Sequence, residues 1–161
     1  MKIAGVQMNV ALMAKEANLS HIIKKMHETA SAGAQLTVFP ECALTGYCFA
    51  SLEEAIPYAE PIPGPSTERL QQVCRELNHS VVVGMLELAE QGVYNVAVLI
   101  TPEGVLGSYR KIHLPFLGVD RFATPGDREF AVYSHPAANI GLNICYDSAF
   151  PESSRSMMVP W

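Results

Sequence analysis

The sequence predicts a layered α/β fold, and three observations carry that prediction. Strand-like and helix-period segments alternate through the first half of the chain, and several further strand-like runs follow. Hydrophobic residues make up 49% of the 161 residues and charged residues 17%, which favours one packed domain over disorder. Glu41, Lys111 and Cys145 each close an apolar run. Loops at the strand ends of an open α/β sheet bring such side chains together.

The elements follow in order. Lys2 to Met8 reads as a strand. Ala14 to about Ser31 has an amphipathic helical period, with Leu19, Ile22, Ile23, Met26 and Ala30 on one side, and Gly33 suits its stop. Gln35 to Phe39 reads as a buried strand. Ser51-Leu52-Glu53-Glu54 has the form of a capping box and starts a short helix. Pro61 to Pro65 is a turn-rich linker, after which Ser66 is expected to cap a helix running to about Asn78, with Leu70, Val73, Cys74 and Leu77 inward. Val81 to Leu86 is a strand. Val93 to Ile100 and Val105 to Arg110 form a hairpin across Thr101-Pro102-Glu103-Gly104. Ile112 to Arg128 is a loop rich in Pro, Gly and charge. Phe130 to Tyr133 and Ala138 to Ile144 are two more strands.

Several function classes are disfavoured. A formal net charge of −5, with no basic run, argues against a nucleic-acid surface. No apolar stretch approaches the length of a membrane span. Met1-Lys2 leads directly into a strand-like run without the pattern of a signal peptide, so a cytoplasmic location is expected. The four cysteines, Cys42, Cys48, Cys74 and Cys145, do not have zinc-pair spacing and read as free thiols.

Each chemistry-bearing residue has a plain structural reading as well. A strand-end cysteine such as Cys145 is usually a small buried hydrophobe. Held out by the turn that follows, its sulfur has the placement of a covalent nucleophile. Cys74 has core spacing on its helix. Cys42 and Cys48 read as pocket wall or filler. Glu41 alone would be a loop acid and Lys111 alone a solvated lysine. His21, His27 and His79 read as helix-surface residues, His135 as a turn residue, and His113 as structural.

Three separated segments resemble the carbon–nitrogen hydrolase (nitrilase) superfamily. They are Val38-Phe39-Pro40-Glu41-Cys42-Ala43-Leu44-Thr45-Gly46-Tyr47, then Tyr109-Arg110-Lys111-Ile112-His113-Leu114-Pro115, then Asn143-Ile144-Cys145-Tyr146-Asp147 with Phe150-Pro151-Glu152. The Ile3 to Met8 strand and the Thr124-Pro125-Gly126-Asp127 turn are similar too, and three motifs in the family's order make chance improbable.

The resemblance implies a nitrilase-type α-β-β-α sandwich that hydrolyses a non-peptide carbon–nitrogen bond without metal or organic cofactor. Cys145 matches the nucleophile, Glu41 the general base and Lys111 the stabiliser of the oxyanion, and the backbone N–H of Tyr146 could add a donor. Tyr47, Tyr146 and Asp120 are expected at the substrate. Asp120 stands nearest to a second family acid and is one methylene shorter than Glu. Glu152 resembles a structural acid paired with Arg155. Tyr146, where the true nitrilases usually carry Trp, is more similar to the amidase and carbamoylase branches, so a small linear amide or N-carbamoyl compound is the expected substrate.

In the family the fold continues after the Phe-Pro-Glu-x-x-Arg segment. Residues 1–161 are therefore expected to be the N-terminal part of one carbon–nitrogen hydrolase domain, incomplete at its C-terminus. A homo-oligomer or a complementing C-terminal chain is the expected partner. The alternative is a catalytically inactive nitrilase-like fragment or interaction module. A redox thiol protein is a weaker third reading, since Cys145 has no local resolving cysteine.

Overall fold

Two ten-residue strands, β3 (Ser80–Ala89) and β4 (Gly92–Thr101), form the spine of the computed structural model, which describes residues 1–158. They pair as a long antiparallel hairpin from Val81↔Ile100 to Ala89↔Gly92. β5 (Gly104–Arg110) extends it antiparallel across the predicted turn. On the other side lie two short parallel strands, β2 (Leu36–Val38) and β1 (Ile3–Gly5), giving the order β1-β2-β3-β4-β5. A second sheet pairs β6 (Val132–His135) with β7 (Ala138–Gly141).

The layers follow from side-chain alternation along β3 and β4. One face presents Val81, Val83, Met85, Val96, Val98 and Ile100 to two helices, α1 (Lys15–Ser31) and α3 (Pro65–Leu77). Leu19, Ile22 and Met26 of α1 and Leu70, Val73 and Cys74 of α3 fill that core. Burial pushes the Cys74 thiol up to about 12, as expected of a packing cysteine. The opposite face presents Val82, Ala97 and Leu99 to the small sheet, where Tyr133, Ile140, Leu142 and Ile144 pack. Gly107 leaves room for the Tyr133 ring, which a methyl group there would strike. A last helix, α4 (Pro151–Met158), sets Met157 against Gly141 of β7. The order helix, sheet, sheet, helix is that of the predicted sandwich. No described helix is long and apolar enough to cross a membrane.

Local differences from expectation have local causes. The second strand is shorter than predicted because its ladder ends with the bond from Phe39 N–H to the Val82 carbonyl of β3, and Pro40 has no N–H to carry it further. β7 stops at Gly141, three residues short of Ile144, whose N–H is taken by the Asp147 side chain at 3.0 Å. Gly64, not Ser66, caps α3: Thr67 Oγ1 accepts from Gly64 N–H at 2.8 Å, while Ser66 Oγ donates to Glu60. At the short helix α2 (Leu52–Ala55) Ser51 does cap, accepting from Glu54 N–H at 3.3 Å.

His79 is not a helix-surface residue. It lies beyond the left-handed Asn78, 2% exposed, with Nδ1 on the Ala34 carbonyl at 3.0 Å and Nε2 on Thr37 Oγ1 at 2.7 Å. His135, read as a turn residue, ends β6 and reaches Ser80. Burial lowers the pKa of His79 from 6.5, outweighing the Ala34 hydrogen bond. The unfolded chain therefore binds this proton more readily. The stability His79 contributes is present above pH 6.5 and is lost as pH falls through the depressed folded value. A His79→Gln variant is expected to lose less stability than the parent between about pH 7.5 and pH 5, read from urea midpoints.

Candidate active site

The site is built where β2 and β5 end beside the first half of β4. Lys111 follows β5, and its N–H bonds the Asn95 carbonyl of β4 at 2.8 Å. Its side chain turns inward and is fully buried. Nζ donates to Glu41 Oε1 at 2.6 Å and to Asp120 Oδ2 at 2.6 Å. Burial works against the ammonium charge, but the hydrogen bonds and charges of Asp120 and Glu41 outweigh it and raise its pKa. Lys111 is thus held as a cation between two carboxylates.

Three neighbours shape this cluster. Tyr47 OH donates to Asp120 Oδ2 at 2.9 Å, and burial with that bond pushes the phenol far up. Asn95 Nδ2 donates to both acids, at 2.7 Å to Glu41 Oε1 and 2.9 Å to Asp120 Oδ1. Gly84 of β3 admits the Glu41 backbone, since a methyl group there would collide with Pro40, Glu41 and Cys42. The loop that delivers Asp120 is docked by the Pro125-Gly126 turn, whose Gly126 N–H bonds the Lys111 carbonyl at 2.8 Å. Arg110 secures the same turn through Asp127 at 3.0 Å, while binding Glu87 of β3 at 2.7 Å and stacking on Tyr94 of β4.

Cys145 begins a 3-10 turn, Cys145–Ala149, with φ of 44°. A non-glycine residue in this left-handed region costs about 1 kcal/mol or more, and such strain concentrates at functional turns. Asp147 holds the turn together. Its Oδ2 accepts from Ile144 N–H at 3.0 Å and Tyr109 OH at 2.9 Å, and its Oδ1 accepts from His113 N–H at 3.0 Å and His113 Nδ1 at 2.7 Å. A carboxylate only accepts, so His113 carries a proton on Nδ1. The His113 ring stacks on Phe150 at 4.0 Å. The buried Asp147 thereby ties the turn that carries Cys145 to the segment just after Lys111.

Glu41 and Cys145 line one cavity of about 110 Å³, with Phe39, Gly84, Ala97 and Asn143 among its walls. Cys145 is exposed to solvent, yet partial desolvation by these walls and then the Glu41 charge raise its thiol, with Lys111 opposing. A protonated thiol beside a carboxylate is arranged to pass its proton on as it attacks.

Of the residues read from sequence, Glu41, Lys111, Asp120 and Tyr47 are joined by direct bonds, and Cys145 shares the Glu41 cavity. Tyr47 points its hydroxyl at Asp120 rather than at open space. Tyr146 is 42% exposed and meets Phe150 edge-on, while its backbone N–H faces the Cys145 sulfur. Glu152 and Arg155 are both exposed and form no ion pair among the described residues, contrary to expectation. Asn95 and Asp147 escaped the sequence reading. Asn95 sits inside an apolar strand run, where a polar residue is a detectable exception, and Asp147 stands three residues after Ile144, the spacing of a turn-capping acid. No group of three His, Cys, Asp or Glu side chains among the described residues is placed to hold a metal ion.

Comparison with known proteins gives the family of the chain. A family model described as carbon–nitrogen hydrolase matches residues 2–160. A nitrilase of Pyrococcus abyssi is 40% identical over 157 residues, covering 97% of this chain and 60% of the relative. An omega-amidase of Xenopus tropicalis is 38% identical over 151 residues, covering 88% of this chain and 53% of the relative. The chain therefore spans little more than half the length of these relatives. A variant amidase of Nesterenkonia sp. AN1, whose active-site cysteine carries the result of Michael addition of acrylamide, superposes with a TM-score of 0.78 at 25% identity, over 98% of this chain and 62% of that one. The chain belongs to the carbon–nitrogen hydrolase family.

Proposed function

We propose that this chain supplies the machinery for hydrolysing a small linear amide or N-carbamoyl compound through a thioester on Cys145. The observation that carries the reading is the buried Lys111 cation bonded at 2.6 Å to Glu41, which in turn shares a small cavity with the Cys145 thiol.

The steps follow from the groups present. Glu41 takes the thiol proton as sulfur attacks the carbonyl carbon. The oxyanion gains stabilisation from Lys111 Nζ and from the backbone N–H of Tyr146, each such donor being worth ~3–4 kcal/mol of barrier. Glu41 returns the proton to the leaving nitrogen, and ammonia or an amine departs. Water, deprotonated by Glu41, then attacks the thioester, and the acid leaves with the thiol restored. A cavity of about 110 Å³ suits a small acyl group. Tyr47 and Asp120 act in this scheme by fixing Lys111, and Tyr146 by its backbone.

The scheme describes one cytoplasmic carbon–nitrogen hydrolase domain, of which this chain supplies the N-terminal part, working as a homo-oligomer or with a complementing C-terminal chain. That reading draws on the 60% share of the Pyrococcus relative that the chain matches. Ammonia release from a panel of linear amides, N-carbamoyl compounds and nitriles tests it. Release from amides or carbamoyl compounds is expected. Release from nitriles alone would refute the substrate assignment, and none from a folded sample would favour the inactive-fragment reading.

A further inference from the structure

The two oxygens of Glu41 are not equivalent. Oε1 accepts from Lys111 Nζ at 2.6 Å and from Asn95 Nδ2 at 2.7 Å. Oε2 accepts from neither Lys111 nor Asn95, and the Cys145 thiol lies beside the same carboxylate. The second proton of Asn95 Nδ2 is spent on Asp120 Oδ1 at 2.9 Å. Asn95 is 1% exposed, so neither bond is shared with bulk water. Its amide orientation is fixed by chemistry: reversed, its oxygen would face two carboxylate oxygens. The Cys42 thiol adds a further constraint, donating to Asn95 Oδ1 at 3.6 Å. Burial holds that thiol protonated, so it remains a donor. The backbone fixes both ends, with Asn95 in β4 opposite Leu86 and Cys42 at φ of 49° directly after Glu41.

We propose that Asn95 is a positioning residue that locks Oε1 of Glu41 into the Lys111–Asp120 cluster and thereby reserves Oε2 for proton exchange on the substrate side. This rests on the reading of Glu41 as the proton carrier. Three charged groups and three polar hydrogens meet here: the Lys111 ammonium, the Glu41 and Asp120 carboxylates, and the Tyr47, Cys42 and Cys145 side chains. Asn95 is a neutral donor to both carboxylates. It supplies hydrogen bonds to both without adding charge, in a cluster where Lys111 alone offsets two negative groups.

The test is a crystal structure of the full chain carrying Asn95→Leu, which removes the donor to both carboxylates. The Glu41 carboxylate is expected to rotate out of its present orientation, so that Oε1 no longer lies within hydrogen-bond distance of Lys111 Nζ. Asn95→Ala, which removes the same donor, stands in if the Leu variant fails to fold. An unmoved carboxylate in a folded variant, with only a lowered melting temperature, would reduce Asn95 to packing and overturn the assignment. The structure needs no substrate. Absence of amide turnover would therefore count against the hydrolase reading, while a displaced carboxylate would still support Asn95 as the residue that sets Glu41.

Discussion

Lys111→Met is expected to destabilise the chain by about 3–5 kcal/mol, because it leaves the Glu41 and Asp120 carboxylates without their buried cation. Methionine has nearly the length of lysine, so the loss would be electrostatic rather than a cavity effect. Asp120 suffers most, since its side chain has no solvent access, whereas Glu41 retains 19%. Urea unfolding checks the figure. The exposed Lys25–Glu28 pair on α1 is the internal control: Lys25→Met should leave the midpoint almost unmoved, because solvent screens that interaction. Turnover should fall as well, by roughly 10²–10³-fold if Lys111 Nζ meets the oxyanion.

Glu41→Gln should separate two properties of Cys145 that usually change together. Amide hydrolysis is expected to fall by roughly 10²–10⁴-fold, since glutamine cannot carry the proton. Thiol reactivity should move the other way. Desolvation raises the Cys145 thiol first, and the Glu41 charge raises it further. Without that charge the thiolate forms at lower pH, so alkylation by a haloacetamide near pH 8 should quicken. The exposed Cys48 also reacts, so modification is followed on the peptide that contains Cys145. Slower alkylation in the variant would mean that Glu41 assists loss of the thiol proton even without substrate, and would contradict the dominance of its charge over Cys145.

Much of this was legible in the chain. The helix of Leu19, Ile22 and Met26, the β4–β5 hairpin and the strand-end positions of Glu41, Lys111 and Cys145 all follow from period and punctuation. What stayed hidden was long-range pairing. The parallel contact that ends β2 at Val38 depends on β3, and the early end of β7 depends on Asp147 claiming an N–H. The burial of His79 depends on Thr37 and Ala34, both brought near by the sheet. Lys111 is the sharpest case: alone it reads as a surface lysine, and only Glu41, 70 residues away, and Asp120, nine residues on, make a buried cation stable. Asn95 was hidden for the same reason, as its two partners come from separate loops.

The most direct test of the account compares ammonia release by the parent chain and by Cys145→Ala, both shown to be folded, on the best amide of the panel. Release by the parent is expected, with none above background by the variant. Undiminished release by Cys145→Ala would contradict it, because the thioester could then play no part.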